Sequence, residues 1–189
     1  MRADLLGVLA CLALTGAALA DPAGPAGSLH APRLGLGRPA TPEILAAWDI
    51  DVRADGQGLP PGHGDVRAGE ALFAARCAAC HGAGGTGGSA DALVGGRGSL
   101  ATGKPVRTVG SFWPYATTLF DYIRRAMPYD APQSLSADET YAVSAYLLHR
   151  NGILPEDAVL DAGALAAVRM PNRDGFTADA RPDVPVAAR

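Results

Sequence analysis

The sequence predicts an all-α domain: three main helices with extended arms on either side. Three observations carry this. Segments at 66–76, 117–126 and 136–149 place apolar residues at helical spacing. No stretch alternates apolar and polar residues over the length of a strand. Gly and Pro, 24 and 15 of the 189 residues, cluster outside those segments and mark turns and arms.

The first segment, 66–76, opens after Asp65, a natural N-cap, and puts Val66, Leu72 and Phe73 on one side. It runs straight into Cys77. The second, 117–126, repeats apolar residues at Leu119, Tyr122, Ile123 and Ala126, and Pro128 stops it. The third opens on a capping box, Ser136 with Glu139. It carries Val143, Tyr146 and Leu147 on its apolar face and ends at Asn151-Gly152.

Around this core of 65–152 lie three other regions. Residues 1–20 read as an export leader: basic Arg2, a short apolar run at 5–14, and the small-x-small triplet Ala18-Leu19-Ala20. Periplasmic location is therefore expected, with no membrane span left after cleavage. Residues 21–64 form a Pro- and Gly-rich arm expected to bind a partner. Within it, Thr41-Pro42-Glu43 starts a short helix leading to Trp48, which needs burial on the core or on another protein. Residues 153–189 are a C-terminal extension with a helical hint at 158–167. A net charge of −3 gives no basic face for nucleic acid. Much of the 48% apolar content is alanine, so a large bound apolar group would help this chain build a core.

Cys77-Ala78-Ala79-Cys80-His81 decides the chemistry. A redox CxxC sits in a strand–helix–strand pattern, which is missing. A zinc site needs four ligands, and no second Cys or His pair has the spacing. A plain Cys77–Cys80 disulfide leaves His81 without a reason. Covalent haem c uses every residue: Cys77 and Cys80 form thioethers to the vinyl groups, and His81 becomes the proximal iron ligand. Export suits this attachment. For the sixth ligand, Met127 follows a helix and precedes Pro128, which turns the chain. Met170 is the runner-up, and His30, His63 and His149 are weaker candidates.

The pattern Gly69, Phe73, Cys77-x-x-Cys80-His81, Met127-Pro128, then Val143 and Tyr146 resembles class I cytochrome c. The resemblance implies that the first and last helices cross where Gly69 meets aromatic residues. That family often has a proline after the haem motif to support the histidine, and residues 82–104 contain none. A narrower resemblance extends from about 33 to 176. The stretches at 37–42, 48–53, 58–62, 95–98, 111–117, 122–128 and 170–176 are similar to the SoxD-type cytochrome subunit of bacterial sulfur dehydrogenases. It implies a molybdenum-containing dehydrogenase subunit as partner and a soluble cytochrome c as acceptor. A single CxxCH implies one haem, serving electron transfer and no catalysis of its own.

Trp113, Tyr115 and Arg97 fall in the irregular segment expected beside the haem propionates, where aromatic tips and a guanidinium can bond carboxylates. Ordinary packing of the aromatics and a solvated Arg97 is the competing reading. Arg124 and Arg125 read as surface charges.

Overall fold

A computed structural model describes residues 36–177, and from Ala40 onward they belong to one unit. The predicted leader at 1–20, His30 and the last residues of the extension lie outside the described residues.

The capping signals act where they were read. The Thr41 hydroxyl accepts from the Ile44 amide at 3.4 Å and Pro42 sits in the first turn, starting α1 (Pro42–Trp48). The Asp65 carboxylate accepts from the Ala68 amide at 2.8 Å and starts α2 (Val66–Arg76). A one-turn helix, α3 (Ala78–His81), follows directly. The helix α4 (Ala116–Ala126) begins without a side-chain cap and ends at Met127. The capping box opens α5 (Ala137–Arg150): Ser136 Oγ accepts from the Glu139 amide at 3.2 Å, and Glu139 Oε2 from the Ser136 amide at 2.8 Å.

The helix α5 is the centre of the molecule. Every residue from Thr140 to Leu148 is buried, as expected of a helix covered on all sides. Its buried hydroxyls bond back to its own carbonyls, Thr140 to Ser136 at 2.8 Å and Ser144 to Thr140 at 2.7 Å. On one side α2 crosses it. A Cβ placed on Gly69 would lie 2.8 Å from Tyr146 Cβ and nearer still to the Ala142 carbonyl, so only glycine permits this approach. One turn on, Phe73 meets Tyr146 with ring centroids 5.3 Å apart. On the other side α4 brings Phe120 against Tyr141 at 4.5 Å.

Four sequence expectations need correction. First, strands exist: β1 (His63–Asp65) and β2 (Val159–Asp161) pair antiparallel, Gly64 opposite Leu160. Three residues are too few to show a period of two, which is why no signal appeared.

Second, the arm expected at 21–64 is not separate from the domain beyond Ile50. Val52 and Leu59 pack against the core. The Val52 amide donates to Asp121 Oδ1 at 2.9 Å, and the Tyr141 hydroxyl donates to the Pro60 carbonyl at 2.8 Å. Arg125 is not a free surface charge either: it pairs with Asp51 at 2.6 Å and Asp121 at 2.9 Å, tying this segment to α4.

Third, Asn151-Gly152 does not mark a domain edge. Beyond it Leu160, Leu165 and Met170 are fully buried, and α6 (Ala162–Ala167) forms behind an Asp161 cap, the Ala164 amide donating at 2.8 Å. Fourth, Tyr122, placed by periodicity on the apolar face of α4, is 49% exposed beside Trp113; Trp48, at 79% exposed, is not buried on the core, which leaves the partner alternative open.

Candidate functional site

The helix α2 delivers Cys77 as its C-cap, the Cys77 amide donating to the Phe73 carbonyl at 2.9 Å. The chain then makes one further turn. The amides of Cys80 and His81 both donate to the Cys77 carbonyl, at 3.2 and 3.0 Å. Two thiols and an imidazole thus share a single helical turn, with Phe73 anchoring it to α5.

Neither cysteine is in a disulfide. Cys77 is half-buried and Cys80 exposed. Burial pushes the Cys77 thiol up, Arg76 opposing and Cys80 adding, which is the reverse of the lowered thiol that disulfide exchange needs. Among the described residues no group of three or more His, Cys, Asp or Glu side chains converges, so the zinc reading finds no ligand set.

After His81 the backbone folds back on itself. Gly82 takes φ 77°, and a Cβ there would lie 2.9 Å from the Gly87 carbonyl carbon, so a side chain is excluded. The Gly87 amide donates to the His81 carbonyl at 2.8 Å and the Ala90 amide to the Cys80 carbonyl at 2.9 Å. This return places the Asp91 carbonyl 2.9 Å from His81 Nδ1. A carbonyl only accepts, so Nδ1 carries the proton and Nε2 keeps its lone pair for a metal. The missing proline is thereby explained: a different backbone carbonyl does its work. A backbone acceptor carries no side-chain signature, and sequence reading had no means of finding it.

The surroundings suit a large apolar group. Cys77, Ala78, Leu93, Val94, Trp113 and Met127 are half-buried apolar residues packed against the core. Free thiols, an imidazole with one nitrogen committed, and half-buried apolar residues fit a covalently attached haem, whose thioethers Cys77 and Cys80 would form and whose iron His81 would hold.

The candidates for the sixth position are placed very differently. Met127, the C-cap of α4, is half-buried and packs against the core. Met170 is 2% exposed, sealed within the core by this chain's own atoms. The His149 ring Nδ1 lies 3.1 Å from the Leu154 carbonyl, and His63 is exposed on β1.

The three residues expected beside the propionates have different neighbours. Trp113 is half-buried against the core, edge-on to Tyr122 at 5.7 Å. Tyr115 pairs across an isolated bridge with Arg169 and lies under the Arg173 guanidinium at 4.2 Å. Arg97 is exposed and makes no hydrogen bond to another described residue. A cleft runs beside Asp91 and Ala92, lined also by Pro105, Val106 and Arg107. Arg107, which sequence reading did not single out, lies over the Phe112 ring at 5.4 Å.

Comparison with known proteins follows the same lines. The family described as cytochrome c oxidase, cbb3-type, subunit III, matches residues 64–147. The crystal structure of the sulfane dehydrogenase SoxCD from Paracoccus pantotrophus is similar to this chain with a TM-score of 0.74 and 45% identity, covering 83% of this chain and 85% of that one. No curated protein matches the sequence. Among the described residues no helix is long and apolar enough to cross a membrane.

Proposed function

Since this chain belongs to the c-type cytochromes and is similar to the SoxD-type subunit of bacterial sulfur dehydrogenases, we propose that it serves a molybdenum-containing sulfur dehydrogenase. It is an electron-transfer cytochrome with a covalent haem c. In the proposed reading it takes electrons in the periplasm from the dehydrogenase subunit and gives them to a soluble cytochrome c. The haem supplies one-electron redox chemistry. The residues of this chain hold it, orient it and limit its exposure to water.

Cys77 and Cys80 would hold the group covalently, and His81, its Nδ1 proton held by the Asp91 carbonyl, would offer Nε2 to the iron. Met127 is the sixth ligand in this reading. Its partial exposure supports that role, while Met170, already enclosed by protein, has no face left to offer. Thioether ligation leaves no open coordination site and raises the reduction potential, which fits a carrier and not a substrate-binding centre. Half-buried Trp113 would cover the edge of the group.

The observation that carries the partner is α1. It buries none of its residues, and Ile44, Leu45 and Trp48 are exposed by 39, 53 and 79%. A capped helix that offers its apolar side chains to solvent is incomplete by itself. The likeness to a chain of the sulfane dehydrogenase SoxCD supports the dehydrogenase subunit as occupant. The test is co-elution of the holoprotein with its molybdenum subunit, wild type against Leu45→Ser with Trp48→Ala. Neither side chain supports the fold, so the variant keeps its haem. Loss of a Trp anchor costs about 2 kcal/mol or more, roughly thirtyfold in affinity. A variant that co-elutes and turns over like the wild type would leave a free-standing carrier as the better reading.

A further inference from the structure

We propose that Asn151 is a positioning residue for the proximal His81, acting through the backbone that carries the Asp91 carbonyl. Asn151 is the C-cap of α5, and its side chain does more than end that helix. Its Nδ2 donates to the Leu147 carbonyl at 2.8 Å and across to the Leu93 carbonyl at 3.1 Å, while its Oδ1 accepts from the Gly95 amide at 3.2 Å. The same short stretch is held from behind, where the amides of Leu93 and Val94 both donate to the Gly85 carbonyl, at 2.8 and 3.0 Å. Gly110 closes over the amide so tightly that a Cβ there would lie 2.7 Å from Asn151 Cγ.

Residues 93–95 are therefore clamped, and Asp91, two residues upstream, is aimed by that clamp. No proline between 82 and 104 stiffens this loop, so hydrogen bonds must do it. Aim matters because the Nδ1–H···O bond fixes the ring and raises the basicity of the nitrogen on iron. A more basic imidazole favours the ferric state. If the clamp opens, the bond lengthens, donation falls and the reduction potential rises. The inference rests on the covalent haem and His81, not on the dehydrogenase partner, and it stands or falls separately from the partner assignment.

The holoprotein is compared with Asn151→Ala, with Gly110→Ala, which presses on the amide without removing it, and with Ser136→Ala, which removes the opposite cap of α5. The readouts are the reduction potential and the solvent exchange of the His81 Nδ1 proton. Asn151→Ala is expected to raise the ferrous-to-ferric ratio by up to about tenfold at fixed poise, about 59 mV for one electron, and to speed the exchange. Gly110→Ala is expected to move both in the same direction. Ser136→Ala should lower thermal stability and leave both unchanged. Potential and exchange unaltered in Asn151→Ala and Gly110→Ala would overturn the proposal and leave Asn151 as a helix cap alone. A fall in potential would overturn it as well.

Discussion

Replacing Gly69 with Ala tests the crossing on which the haem turn is mounted. Judged by local preference, the change should stabilise: alanine is worth up to about 1 kcal/mol over glycine inside a helix. The tertiary contact opposes it. The new methyl would lie 2.5 Å from the Ala142 carbonyl carbon and 2.8 Å from Tyr146 Cβ, whereas carbon atoms rest at about 3.5–4.0 Å. The overlap of roughly 1 Å is against helix backbone, which cannot rotate away. The helices α2 and α5 must separate, and the Phe73–Tyr146 pair, at 5.3 Å, opens with them. Overpacking of this degree costs about 2.5 kcal/mol, and the aromatic pair adds about 0.5–1.5 kcal/mol. Less the propensity gain, about 2–3 kcal/mol of destabilisation remains. For a chain of this length that is a Tm lower by about 4–12 °C. Thermal unfolding of the holoprotein, followed by far-UV circular dichroism, measures it. The thioethers keep the haem attached during unfolding, so dissociation does not blur the midpoint. An unchanged or higher Tm would show that the helices do not approach as described, and the reasoning would fail.

Two further substitutions separate roles that the sequence left open. Met127→Ala should abolish the long-wavelength thioether-to-iron absorption of the oxidised protein. Met170→Ala should keep that absorption but cost about 2–5 kcal/mol as a core truncation; the opposite pattern would transfer the ligand role to Met170. For Tyr141, burial pushes the phenol up from its ordinary value. A raised folded value means that its contribution is complete below the unfolded value of about 10 and is lost as pH climbs through the folded one. Tyr141→Phe should lose about 1 kcal/mol at neutral pH with the bond to Pro60. Above pH 10 it should then lose stability less steeply than the wild type. Parallel alkaline profiles in urea titrations would refute the assignment.

The chemistry was legible in sequence because it is local. Cys77, Cys80 and His81 lie within a single turn, and Asp65, Ser136 and Glu139 are caps that bond to backbone three residues away, so spacing alone predicts them. Gly69 and Phe73 were readable through the class I pattern. Errors arose where one partner is distant in sequence. The arm at Val52 is held by Asp121 and the tail at Leu160 by β1, pairings that no periodicity contains. Trp48 was expected to find burial because large apolar side chains usually do; whether they find it within the chain or on a partner is not a property of the residue.

By itself, then, the sequence determined that the chain carries a covalent-haem motif, with Cys77, Cys80 and His81 as its candidate attachment and ligand residues, and where the principal helices start and stop. Tertiary structure alone decided that Asp91 takes the place of a proline in bonding His81, and that Asn151 braces that loop. It also enclosed Met170 while leaving Met127 half-buried, and it exposed α1. The physical reason is one of range. Caps and covalent attachment are set by neighbours along the chain, whereas the aim of a backbone carbonyl and the burial of a thioether depend on which distant segments close over them.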